Sequence, residues 1–152
     1  MTPEQKLDEL EITLPQVAAP VGAYVPAVRA GNIVMTSGQL PTANGKLISA
    51  GKLGQGVSVE DGQAAAVQAL KNALAAIRAE VGSLDAVKQV VRLNVFVNSA
   101  AGFTDQSKLA NGPSNLLTDI FGDAGRHTRC AVGVFELPLN ASVEVDLTVL
   151  VD

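Results

Sequence analysis

The 152-residue chain is 47% hydrophobic and 17% charged, enough apolar mass for one globular domain with a buried core. Its net charge of −4 and 3% aromatic content give neither the electrostatic footprint nor the stacking surface of a nucleic-acid binder. One cysteine, Cys130, excludes an internal disulfide, and with a single histidine it leaves a structural zinc site short of ligands.

From the N-terminus, Thr2-Pro3-Glu4 has the form of a helix start, with a capping hydroxyl followed by proline in the first turn. That helix is expected to run to about Glu11 and to end before Pro15. YVPAVRAGNIVMTSGQL then predicts two short strands, about 25–29 and 33–37, turning at Gly31-Asn32. Asn44-Gly45 marks another turn, with a short extra strand near 46–48. GKLGQG at 51–56 lacks the Gly-Lys-Ser/Thr ending of a phosphate loop and is expected to be a flexible loop bordering a cleft.

Ser58 is the expected N-cap of the clearest helix, with Glu60 and Asp61 in the first turn where the dipole favours negative charge. Val67, Leu70, Leu74, Ile77 and Val81 fall on one face, and Gly82 supplies the stop. From Val87 to Asn98 the residues alternate: Val91, Leu93, Val95 and Val97 against Arg92, Asn94, Phe96 and Asn98. A second helix covers about 106–121, with Asn111-Gly112-Pro113 either starting or kinking it. Strands over 129–136 and 142–151, joined through Leu137-Pro138, complete the chain.

The order is β-β-α-β-α-β-β, and two helices cover only one face of such a sheet. The other face carries Arg92, Asn94, Phe96, Glu144, Asp146 and Thr148, too polar for an ordinary core. It is either solvated or buried against another subunit with its charges paired. Arg129 is either an anion anchor or the ion-pair partner of Asp146 or Glu144. Glu144 could equally pair with Arg92. Tyr24 could sit at the edge of the core, and His127 in the loop before its strand. Cys130 is expected to face the helices with Val132 and Val134.

GAYVPAV at 22–28, TSGQLP at 36–41, and Arg129-Cys130-Ala131-Val132 followed by ELP and VEVDLTV resemble the YjgF/RidA family of reactive-intermediate deaminases. The spacing agrees: from Arg129 to Leu137 is eight positions, and from Leu137 to Glu144 is seven. The likeness spans about 14–151. It implies an α+β, chorismate-mutase-like fold, a mixed sheet with two helices on one face. Residues 1–152 then form a single RidA-like domain with a short helical extension over about 1–13. It also implies a homotrimer with sites in clefts between subunits. The implied reaction is hydrolysis of 2-imino acids and their enamine tautomers to 2-keto acids and ammonia.

Carried over position by position, Arg129 matches the arginine that holds the substrate carboxylate. Glu144 matches the glutamate near the reacting carbon and its water, and Tyr24 the site tyrosine. Ser37 and Gly38 match the cleft-lining loop, and Asn111 an asparagine of the second helix. The family's cysteine two residues after the arginine is Ala131 here, and the 98–127 segment looks longer than usual, which points to a divergent branch. The alternatives are a trimeric binding protein for small carboxylates and, with less support from an acidic chain, an endoribonuclease. No metal, cofactor or nucleic-acid partner is expected; the expected partners are a small 2-imino or 2-keto acid and further copies of the chain.

No segment approaches the run of about 20 apolar residues that crosses a bilayer. The charged opening MTPEQKLDELEI lacks the apolar stretch of a secretory signal, so the expected setting is the cytoplasm, away from the membrane.

Overall fold

A computed structural model describes residues 1–17, 19–20 and 22–152. The long elements are helices α1 (Pro3–Glu9), α2 (Val59–Val81) and α3 (Gln106–Phe121), with strands β1 (Ala27–Ala30) and β2 (Ile33–Thr36). Four two-residue strands follow β2: β3 (Thr42–Ala43), β4 (Lys46–Leu47), β5 (Lys52–Leu53) and β6 (Gly56–Val57). Strands β7 (Val87–Asn98), β8 (Thr128–Val134) and β9 (Val143–Val151) complete the main sheet, whose order is β1-β2-β9-β7-β8. All its pairs are antiparallel except β7 with β8. The fold is therefore α+β with a mixed sheet: α2 lies over β9, β1 and β2, and α3 over β7 and β8.

The local chemistry explains the boundaries. In α1, Thr2 and Gln5 form a reciprocal capping box. In α2, the Ser58 side chain accepts from the Asp61 amide at 3.1 Å, and Gly82 ends the helix at φ 91°, a conformation that penalises any Cβ. Alanines 65, 66, 69, 73, 75 and 76 are all buried, so α2 packs close on the sheet. The inner sheet face supplies Val143, Val145, Leu147, Val149, Leu93, Val95 and Val97, each fully buried. Helix α3 continues through Pro113. Its tight approach to α2 requires Gly112, where a Cβ would stand 2.5 Å from Gln63 Cγ.

Three expectations need correction. Cys130 and Val132 do not face the helices: they pair with Asn94 and Phe96 and share the open face, and Val132 is 40% exposed. The residues of β8 that face α3 are Arg129, Ala131 and Gly133, opposite Leu93, Val95 and Val97. The helix selects small side chains there, since a Cβ on Gly133 would lie 2.8 Å from Gln106 Nε2. Asn98 is not on a polar surface but fully buried, donating to the Ala141 carbonyl at 3.0 Å and accepting from Lys52 Nζ at 2.9 Å. Residues 51–56 are not a free loop: β5 and β6 pair with each other, and Leu53 is buried and bridges to Ser99.

Candidate functional site

A bulge between β2 and β9 builds the first half of the site. The pair Met35–Thr148 is regular, and pairing resumes at Gln39–Val145, where each amide bonds the other carbonyl at 2.7 and 2.9 Å. Residues 36–38 thus stand opposite only 146 and 147, and the strand bows outward. Thr36 Oγ1 fills the gap by accepting from the Leu147 amide at 3.1 Å. Ser37 ties the bulge to the chain before β1: its amide donates to the Pro26 carbonyl at 2.8 Å and its hydroxyl to the Val25 carbonyl at 2.6 Å. From α2, Asn72 holds the continuation, donating to the carbonyls of Leu40 and Thr42 at 2.9 and 3.0 Å.

The bulge brings Gly38 against Glu144. A Cβ at position 38 would fall 2.3 Å from Glu144 Oε1, so only glycine leaves the carboxylate where it is. Glu144 stands on β9 opposite Phe96, on the face without helices. Burial, and secondarily the nearby Asp146 charge, raise its carboxyl above the usual glutamate value. Among the described residues no lysine, arginine or histidine lies within salt-bridge distance of Glu144. Arg92, one alternative partner, is engaged elsewhere: its Nε donates to Asn94 Oδ1 at 3.2 Å, and Asn94 donates to Asp146 at 2.8 Å. Tyr24 is 53% exposed and precedes Val25, whose carbonyl Ser37 holds; its ring lies beside Gly22.

The second half lies on the opposite sheet face. Arg129, opposite fully buried Leu93, points to α3, where its Nη1 donates to Asn111 Oδ1 at 2.9 Å and to Ser114 Oγ at 3.2 Å. Asn111 and Ser114 are one helical turn apart and so share a face. Among the described residues no carboxylate lies within salt-bridge distance of Arg129, which excludes the anticipated pairing with Asp146 or Glu144.

Five residues singled out in the sequence thus gather as two sets, Ser37, Gly38 and Glu144 at the bulge and Arg129 and Asn111 on the other face, while the Tyr24 side chain is not brought against either. Ser114 was missed, although its three-residue spacing from Asn111 was a usable signal. His127 lies in the loop before β8, as expected, and its Nε2 is 2.9 Å from Ser114 Oγ. Among the described residues no cluster of His, Cys, Asp or Glu is arranged to hold a metal ion. An open depression of about 450 Å³ beside β1 and α2 is lined by none of Ser37, Gly38, Asn111, Arg129 or Glu144.

Residues 4–150 match the family described as "YjgF/chorismate mutase-like, putative endoribonuclease". The chain belongs to the YjgF/chorismate-mutase-like family. Among its relatives is protein TCP17 of Trypanosoma cruzi, 48% identical over 94% of this chain and 90% of the relative. A 2-iminobutanoate/2-iminopropanoate deaminase of Dermatophagoides farinae is 28% identical over 93% of this chain and 95% of its own length. A crystal structure from Shewanella oneidensis, named a "putative endoribonuclease", superposes with TM-score 0.95 at 38% identity, covering 99% of this chain and 100% of that one. This YjgF-family chain shares its fold with proteins carrying different functional names, so its activity must be argued from its own side chains. No helix among the described residues is long and apolar enough to cross a membrane.

Proposed function

We propose that the chain hydrolyses 2-imino acids and their enamine tautomers to 2-keto acids and ammonia, as a cytoplasmic homotrimer with sites between subunits. The observation that carries this reading is an arginine with no carboxylate partner among the described residues, propped on neutral acceptors, in the same chain as a half-buried glutamate with no cation partner among them. A guanidinium fork binds a carboxylate through parallel charge-assisted hydrogen bonds and fixes the adjacent C=N carbon. Glu144 takes a proton from water as the oxygen bonds that carbon. Addition to the protonated imine leaves an amine nitrogen, to which Glu144 returns its proton; the C–N bond then breaks, and the hydroxyl proton passes to the departing ammonia as the carbonyl forms. The raised Glu144 carboxyl suits a group that must both accept and return a proton. Tyr24 supplies a hydrogen bond to the substrate, and the Ser37–Gly38 backbone lines the cleft.

The two halves lie on opposite faces of the sheet and on strands separated by β7, about 10 Å apart at ordinary strand spacing. A small acid cannot touch both within one chain, which favours a site completed by a second copy. Exposed Val28 and Met35 on the open face (52% and 57%), together with Val132, supply apolar area for that contact.

The test generates 2-iminopropionate with an amino-acid oxidase and follows its loss. Wild type is expected to accelerate it, and Arg129→Ala to remove the acceleration; an Arg129→Ala variant as fast as wild type overturns the reading. Co-expressing Arg129→Ala with Glu144→Gln is expected to restore about a quarter of wild-type activity, because randomly mixed neighbours rebuild one intact site in about four. No recovery in mixed trimers rejects the two-copy site.

The same arginine would serve a carboxylate-binding protein without turnover. That alternative holds if pyruvate binds by calorimetry while imine loss stays at background. An endoribonuclease finds little support in a net charge of −4.

A further inference from the structure

His127 and Ser114 have no part in the chemistry above, yet they form a hydrogen-bonded chain that ends on Arg129. His127 Nδ1 lies 2.6 Å from the Gly125 carbonyl oxygen. A carbonyl only accepts, so Nδ1 carries the hydrogen and the neutral ring presents Nε2 as a lone pair. The Ser114 hydroxyl, 2.9 Å away, therefore donates its hydrogen to Nε2. With that hydrogen turned towards the histidine, the oxygen faces Arg129 only as an acceptor, and Nη1 donates to it at 3.2 Å. The other Nη1 hydrogen goes to Asn111 Oδ1 at 2.9 Å. Both hydrogens of Nη1 are thus occupied, while Nε and Nη2 make no hydrogen bond among the described residues.

The geometry points to Ser114 and His127 as positioning residues that hold Arg129 by one nitrogen and leave its Nε–Nη2 edge as the fork for the substrate carboxylate. This deepens the imine-hydrolase reading and rests on it. Asn111 alone is a single pivot about which the guanidinium could swing. Two acceptors one helical turn apart fix its plane. Without His127 the serine hydrogen is free to turn towards the cation, where it repels instead of accepting. The sequence places the device economically: His127 and Arg129 are two apart on an extended chain and point the same way, towards α3.

The experiment measures pyruvate affinity by calorimetry and iminopropionate turnover in wild type, Ser114→Ala, His127→Ala, the double variant and His127→Gln. Each single alanine variant is expected to weaken pyruvate about 5- to 30-fold, with the catalytic loss falling mainly on KM. The double variant is expected to be no worse than the worse single one, because the two residues act through one bond to Arg129. His127→Gln is expected to recover affinity, since its amide oxygen can accept from Ser114. Unchanged affinity in either single variant, or losses that add in the double variant, overturns the positioning role.

Nitrogen NMR separates this outcome from failure of the imine reading. His127 is the only histidine, so its ring signals need no further assignment. At about pH 8, where an ordinary histidine is neutral, the Nδ1–H form is expected. Arg129 Nη signals are expected to be distinct in wild type and averaged in His127→Ala. Wild type that neither binds pyruvate nor consumes the imine sinks the proposed function. An Nε2–H ring, or Arg129 signals indifferent to His127→Ala, sinks the positioning role whatever the substrate.

Discussion

The two halves of the site hold their charges by opposite means. Arg129 is a cation whose hydrogen bonds go to neutral groups: an amide oxygen, and a hydroxyl oriented by a histidine. Glu144 is set beside Phe96 and Asp146, with no cation among the described residues to balance its charge. The first arrangement fixes direction while leaving the charge unneutralised. The second raises the free energy of the ionised form and so makes a carboxylate ready to take a proton. An intramolecular Arg129–Glu144 ion pair would quench both properties, and the sheet prevents it by placing them on opposite faces.

Substitutions can break this contrast. The largest effect is expected from Glu144→Gln, which keeps the shape and removes the base: kcat for imine hydrolysis should fall by about 10²–10⁴ with KM little changed. A loss confined to KM would show that Glu144 only binds. Next comes Gly38→Ala. Its methyl group would displace the mobile end of Glu144 rather than backbone, so the protein should fold while kcat drops on the order of 10²-fold. Full activity with a normal melting temperature would mean that the carboxylate position is irrelevant. Arg129→Lys keeps the charge and loses the planar fork, so KM should rise about 10-fold while kcat holds. An equal loss in both parameters would move Arg129 from binding to the chemical step.

The smallest effect sharpens the electrostatics. Burial, and secondarily Asp146, raise the Glu144 carboxyl above 4.5 in the folded chain, so the native state holds a proton there more tightly than the unfolded chain does. Its contribution to stability is full below pH 4.5 and is lost as pH rises through the folded value. Glu144→Gln should therefore be more stable than wild type in neutral denaturant titrations, with the difference shrinking towards zero as pH falls below 4.5. A Gln variant less stable at neutral pH would mean that the carboxylate has a stabilising partner.

The N-terminal cap at Ser58 and the stop at Gly82 were legible because each rests on chemistry within one helical turn. The alternation of β9 was legible too, since its inner face is fully apolar and its outer face carries Glu144, Asp146 and Thr148. The facing of β8 was not. Cys130, Val132 and Val134 look like the buried set, but α3 passes so close to this edge strand that Ala131 and Gly133 must face it, which turns Val132 outward. Arg129 turned inward with them, and so its contact with Ser114, which His127 holds from the other side, stayed hidden.

Residue types and short-range spacing were therefore enough to specify the long helices, the main-sheet strands and the family, because capping, periodicity and motif distances act along the chain. Which face each charge occupies, and which neighbour holds it, came from packing. A one-residue change in strand facing reverses every side chain, and only the close approach of α3 to β8 and the bulge at 36–38 selects the facing that occurs.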